Sequence, residues 1–296
     1  IFSKLQIQGS LYSIKNPFLI FFEHTNRLSL DAPIVVLAWQ ALISNELNVE
    51  ISISQRLVFF FSVWLAYSAD RYLECFGQKS GKSLFNRHLY FYEHRIFFII
   101  VWFFVLIISF YLTCLNFTTF QIVCCLVLFL LVIINQTWSF YEPKYLAKVF
   151  PKSQRTSILL TLGCVYLPLI FARELKIEIC IWTFFLLYLF WINCVLNNFW
   201  EHLNNGPKHI VFTPFQNNNF SVLNIIFQFL ILVSGIIIFY ITDNLNFIFF
   251  SIVTTSLIAL YLYKSKLKFE YKRIYLDQFY WIIPSSCYLL DNVSDL

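Results

Sequence analysis

Apolar runs close to the length that crosses a bilayer recur along the whole chain, and this feature constrains the fold most. A transmembrane helix needs about 20 apolar residues at 1.5 Å of rise each. Of the 296 residues, 59% are apolar and 12% are charged, against about 25% charged in an average soluble domain. The pattern predicts an all-α, polytopic membrane protein of about nine transmembrane helices, over 33–48, 55–74, 96–115, 118–138, 155–172, 177–199, 220–242, 246–263 and 274–291.

The first and last of these spans are the least regular. The span 33–48 is short and is bracketed by Asp31 and Glu46, so a half-buried entry helix is the alternative. The span 274–291 has Asp277 near its start and Pro284 inside it, which predicts a kink. No stretch is long enough for a separate soluble domain. We expect one transmembrane domain over 31–296, preceded by an interfacial arm over 1–30.

The basic residues predict the orientation of the chain in the membrane. With the N-terminus in the cytoplasm, every lysine and arginine except Arg56, Arg173 and Lys176 falls on the cytoplasmic side, as the positive-inside rule requires. Topology and anionic lipid headgroups then account for the net charge of +5, so we expect membrane lipids and no nucleic acid as partners. The longer polar loops also face the cytoplasm, where we expect the chemistry.

The cysteine spacing and the first residues bear on disulfides, a zinc site and a signal peptide, and we expect none of the three. The eight cysteines include no C-x-x-C pair, so we expect neither disulfides nor a zinc site. The first 22 residues lack a long apolar core followed by a small-residue cleavage site, so we expect no cleavable signal peptide. The chain begins at Ile1 and contains no methionine, so we expect the natural start to be missing.

The stretch FSVWLAYSADRYLECFG, residues 61–77, is an apolar segment that ends in charged residues. Asp70 and Glu74 are spaced i, i+4 and therefore share one face of a helix, with Arg71 on a neighbouring face. Two carboxylates at the water end of a membrane helix can hold Mg²⁺, with substrate phosphate oxygens as further ligands. An ordinary solvated or ion-paired helix end is the alternative.

A row of amide side chains ends a later span. Asn193, Asn197 and Glu201 follow each other at i, i+4 and i+8, and Asn204 comes just beyond. Polar groups at the end of a membrane helix are costly unless they bond to neighbours or line a wet cavity, so this row is a candidate site. Hydrogen bonding between helices is the alternative.

Nine predicted helices, a cytoplasmic N-terminus and polar motifs at the cytoplasmic ends of helices two and six resemble the UbiA family of intramembrane prenyltransferases. The resemblance extends over nearly the whole chain. In that family the loop after helix two carries N-D-x-x-D-x-x-x-D, and AYSADRYLE places Asp70, Arg71 and Glu74 on its last acidic half. Ala66 and Tyr67 stand where the family has Asn and Asp. The segments VWLAYSADRYLE and NRHLYFYEHR are most similar to an uncharacterised bacterial branch with a W-L-x-Y-x-x-D-R signature.

Two further stretches resemble family motifs. The D-x-x-x-D-type cluster at the end of helix six corresponds to NCVLNNFWEHLNN, in which Glu201 is the one acidic residue. The family's basic stretch, similar to K-R-x-T followed by a glycine, corresponds to KSQRTSILLTLG. Lys152 and Arg155 are the diphosphate contacts that this second likeness implies.

The resemblance implies transfer of a prenyl group from a prenyl diphosphate to a lipophilic acceptor in a bacterial cytoplasmic membrane. It implies Mg²⁺ held by catalytic residues and a diphosphate held by basic and amide residues. The first set is Asp70, Glu74 and Glu201, and the second is Arg71, Lys152, Arg155, Asn193, Asn197 and Asn204. Because half of the acidic residues are missing, the alternative is an inactive UbiA-fold protein that binds a lipid, quinone or pigment, or packs with partner subunits in a membrane complex.

Overall fold

The computed structural model describes residues 17–77, 86–141, 150–172, 177–204 and 247–294, with isolated positions between 226 and 233. The described elements are all helices, which confirms the all-α prediction. They are α1 (Pro17–Arg27), α2 (Asp31–Glu46), α3 (Ile53–Gly77), α4 (Asn86–Glu93), α5 (Arg95–Asn116), α6 (Thr119–Tyr141), α7 (Lys152–Phe171), α8 (Ile177–Asn204), α9 (Phe247–Lys264) and α10 (Phe269–Ser294).

Five of the described helices are long and apolar enough to cross a membrane, which supports a multi-pass membrane protein. They are α5, α6, α7, the segment Ile179–Trp200 of α8, and α9. The count reaches six if α1 and α2 form one bent span. The other predicted spans at 55–74 and 274–291 coincide with α3 and α10, which carry more charge. The span 220–242 lies almost wholly outside the described residues, so nine spans and a cytoplasmic N-terminus stay predictions.

The chain turns sharply between α1 and α2. The two helices meet at an angle of 96°, and Ser29 in the turn has a φ of 60°, in the left-handed region that few non-glycine residues adopt. The amide of Leu30 donates to the carbonyl of Thr25 at 2.9 Å, which closes the turn. Within the predicted arm 1–30, the described part is therefore a helix that bends sharply into α2 and packs on α4 and α10.

Helices α2, α7, α8, α9 and α10 share one apolar core. Two aromatic side chains join three of these helices through their polar ends. The indole Nε1 of Trp39 donates to the carbonyl of Tyr280 at 2.9 Å, and the Tyr280 hydroxyl donates to the carbonyl of Leu189 at 2.7 Å. Trp39, Tyr280 and Leu189 are all 0% exposed, so the N–H and O–H groups are buried with their partners, as a buried aromatic polar group requires.

Helices α5 and α6 lie outside this core; α5 packs mainly on α3, and α6 packs on both α3 and α7. They also contact the backbone of α3 near its middle. Trp102 of α5 donates through Nε1 to the carbonyl of Leu65 at 3.1 Å, and Gln136 of α6 donates through Nε2 to the carbonyl of Ala66 at 3.0 Å. These contacts fix the turn of α3 that precedes Asp70.

Candidate functional site

A cavity of about 120 Å³ lies among α2, α3, α7, α8 and α10. Its walls come from the first turns of α2, the first half of α7, the second half of α3, the middle and later part of α8, and one residue in the early part of α10, so all five helices meet here. A cavity needs about 10–15 Å³ to hold one water molecule. The cavity therefore has room for several waters or for a small polar headgroup.

The cavity has a polar part and an apolar part. Ala32, Val35, Leu160 and Phe190 line the apolar part. Leu160 lies two helical turns further along α7 than Lys152, which lines the polar part. The cavity therefore extends from the polar end of the bundle towards its apolar interior, a shape suited to an amphiphilic ligand.

Five of the residues predicted from sequence line this one cavity. They come from three helices, α3, α7 and α8, and are Asp70, Arg71, Lys152, Asn193 and Asn197. The side chains of Glu74, Glu201 and Asn204, which belong to the ends of α3 and α8, lie outside the described part of the chain. What the sequence singled out as separate motifs is thus brought together by the fold.

An ion pair between Asp70 and Lys152 stands in the outer part of the cavity. The Nζ of Lys152 lies 2.8 Å from Oδ1 and 2.7 Å from Oδ2 of Asp70, so one ammonium contacts both carboxylate oxygens. The two side chains are 27% and 17% exposed. The pair therefore joins the end of α3 to the first residue of α7 while it stays within reach of water.

A second ion pair, between Arg71 and Asp31, lies deeper. Nη2 of Arg71 is 3.5 Å from Oδ2 of Asp31, and the side chains are 3% and 5% exposed. Arg71 also donates through Nη1 to the carbonyl of Asn26, and its guanidinium lies over the Tyr67 ring at 4.7 Å from the centroid. Nε and Nη2 of Arg71 have no hydrogen-bond partner among the described residues. This buried cation therefore has unused donors beside the cavity.

Asn26, in the last turn of α1, connects the carboxylates of α2 and α10. Its Nδ2 donates to Oδ2 of Asp31 at 3.0 Å and to Oδ2 of Asp277 at 3.3 Å. Nη2 of Arg273 donates to Oδ1 of Asn26 at 2.9 Å. Arg273 also contacts Asp277, with Nε 4.0 Å from Oδ2. Asp277 thus has a basic neighbour, as Asp31 and Asp70 do.

Asn197 joins α8 to the same network. Its Nδ2 donates to Oδ1 of Asn193 at 3.0 Å and to Oδ1 of Asp277 at 3.1 Å. The alternative interpretation of the amide row, hydrogen bonding between helices, therefore applies to Asn197, although both asparagines also line the cavity. Oδ1 of Asn197 and Oδ1 of Asp31 are buried without a hydrogen-bond partner in the described structure. They are acceptors that a ligand hydroxyl or a water can use.

Arg155, which the family likeness implies as a diphosphate contact, is not among the residues that line the cavity, so that role stays a prediction. Its side chain is 4% exposed and its guanidinium lies over the Trp138 ring of α6, 5.1 Å from the centroid. The reason is helical geometry. A helix turns by about 100° per residue, so the face of α7 that carries Lys152, Ser153 and Thr156 points to the cavity while Arg155 points to α6.

The described carboxylates do not fit a magnesium cluster as they stand. Each of the three that line the cavity contacts a basic side chain: Asp70 with Lys152, Asp31 with Arg71, and Asp277 with Arg273. In the part of the chain that the structure describes, no three histidine, cysteine, aspartate or glutamate side chains are placed to hold a metal ion together. Magnesium at Asp70, Glu74 and Glu201 therefore stays a prediction.

Sequence reasoning missed Asp31, Asp277 and Asn26 as parts of the site. It used the two aspartates only as marks of irregular helix ends. The missed signal is that an ionisable residue next to or inside a membrane span is a functional candidate by default, and that both lie at the end of the bundle that carries the other motifs. Asn26 had no comparable signal, because its role comes from a turn that brings it to α10, 251 residues away.

The geometry can be compared with proteins of known family and structure. Neither family models, nor curated proteins, nor solved structures match this chain. The candidate site is therefore defined by the residues that meet at the cavity.

Proposed function

We propose that this chain is a UbiA-like membrane protein that binds a prenyl diphosphate in the cavity and transfers the prenyl group to a lipophilic acceptor. One observation carries the proposal. Residues from all three stretches that resemble family motifs line the same cavity, although Asp70 and Lys152 are 82 residues apart in sequence. The small polar part suits a diphosphate, and the apolar part beside Val35, Leu160 and Phe190 suits the start of an isoprenoid chain.

Each group in the cavity can take a different role in the reaction. The allylic carbon–oxygen bond of the donor breaks, and its electron pair leaves on the diphosphate, whose growing negative charge Lys152 and Arg71 stabilise. The electron-poor allylic carbon faces the rings of Tyr67 and Phe190, since aromatic faces attract cations. A nucleophilic carbon or hydroxyl of the acceptor forms the new bond to this carbon. Its proton passes to the Asp31 carboxylate, whose Oδ1 is an unused acceptor among the described groups.

The finer topology belongs to the same proposal. Nine spans, a cytoplasmic N-terminus and a bacterial cytoplasmic membrane would place this polar end of the bundle, and hence the donor diphosphate, on the cytoplasmic side. The magnesium ion expected from the resemblance would involve Glu74 and Glu201 in addition to Asp70. The reaction described above does not depend on that ion.

A second candidate function is binding without transfer, as a lipid-, quinone- or pigment-binding subunit of a membrane complex. The contact of Lys152 with both oxygens of Asp70 favours it, because this ion pair occupies the carboxylate that the family likeness assigns to catalysis. In this case the cavity would hold a headgroup, and the residues around it would serve affinity and not bond cleavage.

The test is binding and turnover of radiolabelled farnesyl and geranylgeranyl diphosphate by the purified protein in nanodiscs, with a set of lipophilic phenols and quinols as acceptors. We expect saturable binding and acceptor-dependent release of diphosphate. Asp31→Asn should keep binding and lose release, because it removes the proton acceptor. Binding without release from any acceptor would favour the second candidate. Absence of binding to either diphosphate would reject the proposal.

A further inference from the structure

The first turn of α7 lines the cavity and carries groups that can bind an anion. Lys152, Ser153 and Thr156 all line the cavity, which brings one ammonium and two hydroxyl-bearing side chains to its wall. Pro151, at the N-cap position, makes no side-chain cap. Its carbonyl accepts from the amides of Gln154 and Arg155, and the amides of Lys152 and Ser153 come before these, where a helix has no carbonyl to offer them. The N-terminus of this 20-residue helix also carries partial positive charge.

A second feature from another helix points into the same cavity. Arg71 of α3 is 2% exposed and lines the cavity, yet its Nε and Nη2 donate no hydrogen bond within the described structure. Unused donors on a buried guanidinium are costly unless a ligand or water accepts from them. Guanidinium groups match phosphate oxygens because two of their N–H groups can point to one phosphate.

The described carboxylates that line the cavity do not cancel this preference for an anion, because each of the three contacts a basic side chain. Asp70 contacts Lys152 through both oxygens, at 2.7 and 2.8 Å, and so holds the ammonium at the cavity. A divalent cation at one of these oxygens would stand beside the Lys152 ammonium and be repelled by it. A phosphate group is attracted by the same ammonium and does not compete with it for the Asp70 carboxylate.

From these contacts, and resting on the proposed function, we infer that the cavity binds the diphosphate of its ligand without a divalent metal ion. Lys152 takes the place that a metal would have between Asp70 and the phosphate oxygens. Arg71, Ser153, Thr156 and the first amides of α7 supply the remaining donors. The ligand class is a prenyl diphosphate, or another membrane amphiphile with a phosphate headgroup.

The experiment measures binding of radiolabelled farnesyl thiodiphosphate, a slowly reacting analogue, to the purified protein in phosphatidylcholine nanodiscs. It is done in EDTA and again with Mg²⁺. Lys152→Gln removes the charge at the first turn of α7, and Asp70→Asn removes the carboxylate. Lys264→Gln is the matched control, since it makes the same charge change at an exposed position at the end of α9.

We expect binding in EDTA that Mg²⁺ changes little. Lys152→Gln should weaken it about tenfold or more, the usual loss for one charged hydrogen-bonding group. Asp70→Asn should keep or tighten it, because the variant removes a negative charge and frees the ammonium, and Lys264→Gln should leave it unchanged. A metal site makes the opposite prediction for Asp70→Asn, which makes this variant decisive.

Two results would overturn the inference and leave the proposed function intact: binding that requires Mg²⁺, or loss of binding in Asp70→Asn. No binding under either condition would reject the proposed function itself. Inorganic diphosphate and nanodiscs with added phosphatidate serve as competitors. Competition by inorganic diphosphate alone supports the prenyl diphosphate as ligand, whereas competition by phosphatidate alone assigns the same phosphate site to a lipid headgroup and rejects the prenyl donor.

Discussion

Helices α6 and α8 have nearly the same mean hydropathy, 2.3 and 2.2, but only one of them is packed inside the protein. Within the described structure, half of the α8 span is buried against 6% of the α6 span, and α5 resembles α6 with 11%. Hydropathy therefore identifies segments that can enter a membrane and does not tell which of them pack against each other. The two regions differ in what surrounds their side chains, since among the described residues the α8 span packs against other helices and most of α5 and α6 does not.

In α8, Asn197 donates to Asn193 and to Asp277 of α10, beside the cavity. In α5 and α6, large apolar side chains such as Phe104 (63% exposed) and Leu130 (56% exposed) point away from the described protein. Lipid tails are as apolar as these side chains, so a bilayer covers them at little cost. We therefore expect substitutions on the outer faces of α5 and α6 to change the stability little, and substitutions beside the cavity to lower it.

The largest effect is expected for Asp31→Ala. It leaves Arg71 buried without its carboxylate, and removal of one partner from a buried ion pair typically costs about 3–5 kcal/mol. Phe104→Ala in the exposed face of α5 is the comparison and should cost little. Thermal or denaturant unfolding of the purified protein in one detergent measures both. Equal losses in the two variants would contradict the distinction between the regions.

A smaller effect is expected for Leu189→Ala, because Leu189 is 0% exposed in the core of α8. The cavity left by such a change costs about 2–5 kcal/mol. Leu130→Ala on the outer face of α6 makes the same chemical change at a 56% exposed position and should cost less than about 0.5 kcal/mol. Similar unfolding midpoints for the two variants would mean that α6 is packed in the membrane, for instance against a second copy.

Trp39→Phe should cost about 1 kcal/mol, the usual net value of one hydrogen bond, beyond its small loss of volume. Its indole joins α2 to α10 through the carbonyl of Tyr280. Trp102→Phe removes a similar bond from α5 to Leu65, where the ring is only partly buried. Trp102→Phe should therefore lower the free energy of unfolding less than Trp39→Phe. A larger decrease for Trp102→Phe would show that α5 stabilises α3 more than the burial of α5 indicates.

The smallest effect is expected for Gly163→Ala in α7. An added Cβ would stand 3.4 Å from Cγ1 of Val36 in α2, an ordinary contact, and alanine is favoured over glycine in a helix by up to about 1 kcal/mol. We expect a slight rise in the unfolding temperature. Gly163→Leu should lower it, because a longer side chain meets α2. A fall in both variants would indicate that α2 and α7 approach more closely than described.

Sequence predicted the helices and much of the site, because each signal was local. A run of apolar residues predicts a span wherever it packs, and the i, i+4 spacing of Asp70 and Glu74 after such a run predicts that they share one helix face. The partners of these residues could not be predicted in the same way. The pairing of Asp70 with Lys152 and of Arg71 with Asp31 depends on which helices are neighbours, and the position of Arg155 depends on the rotation of α7 about its axis.

The Asn26 contacts also have a consequence for the order of synthesis. Asn26 leaves the ribosome long before Asp277, and at about 5–20 residues per second the interval of 251 residues lasts about 13–50 seconds. During this time α2 and α3 already hold Asp31 and Arg71, while the wall from α10 does not yet exist. The Arg71–Asp31 pair joins α3 to α2 and does not need α10, whereas the bonds of Asn26 with Asp277 and Arg273 can form only after α10 has been made. This end of the bundle is therefore completed last.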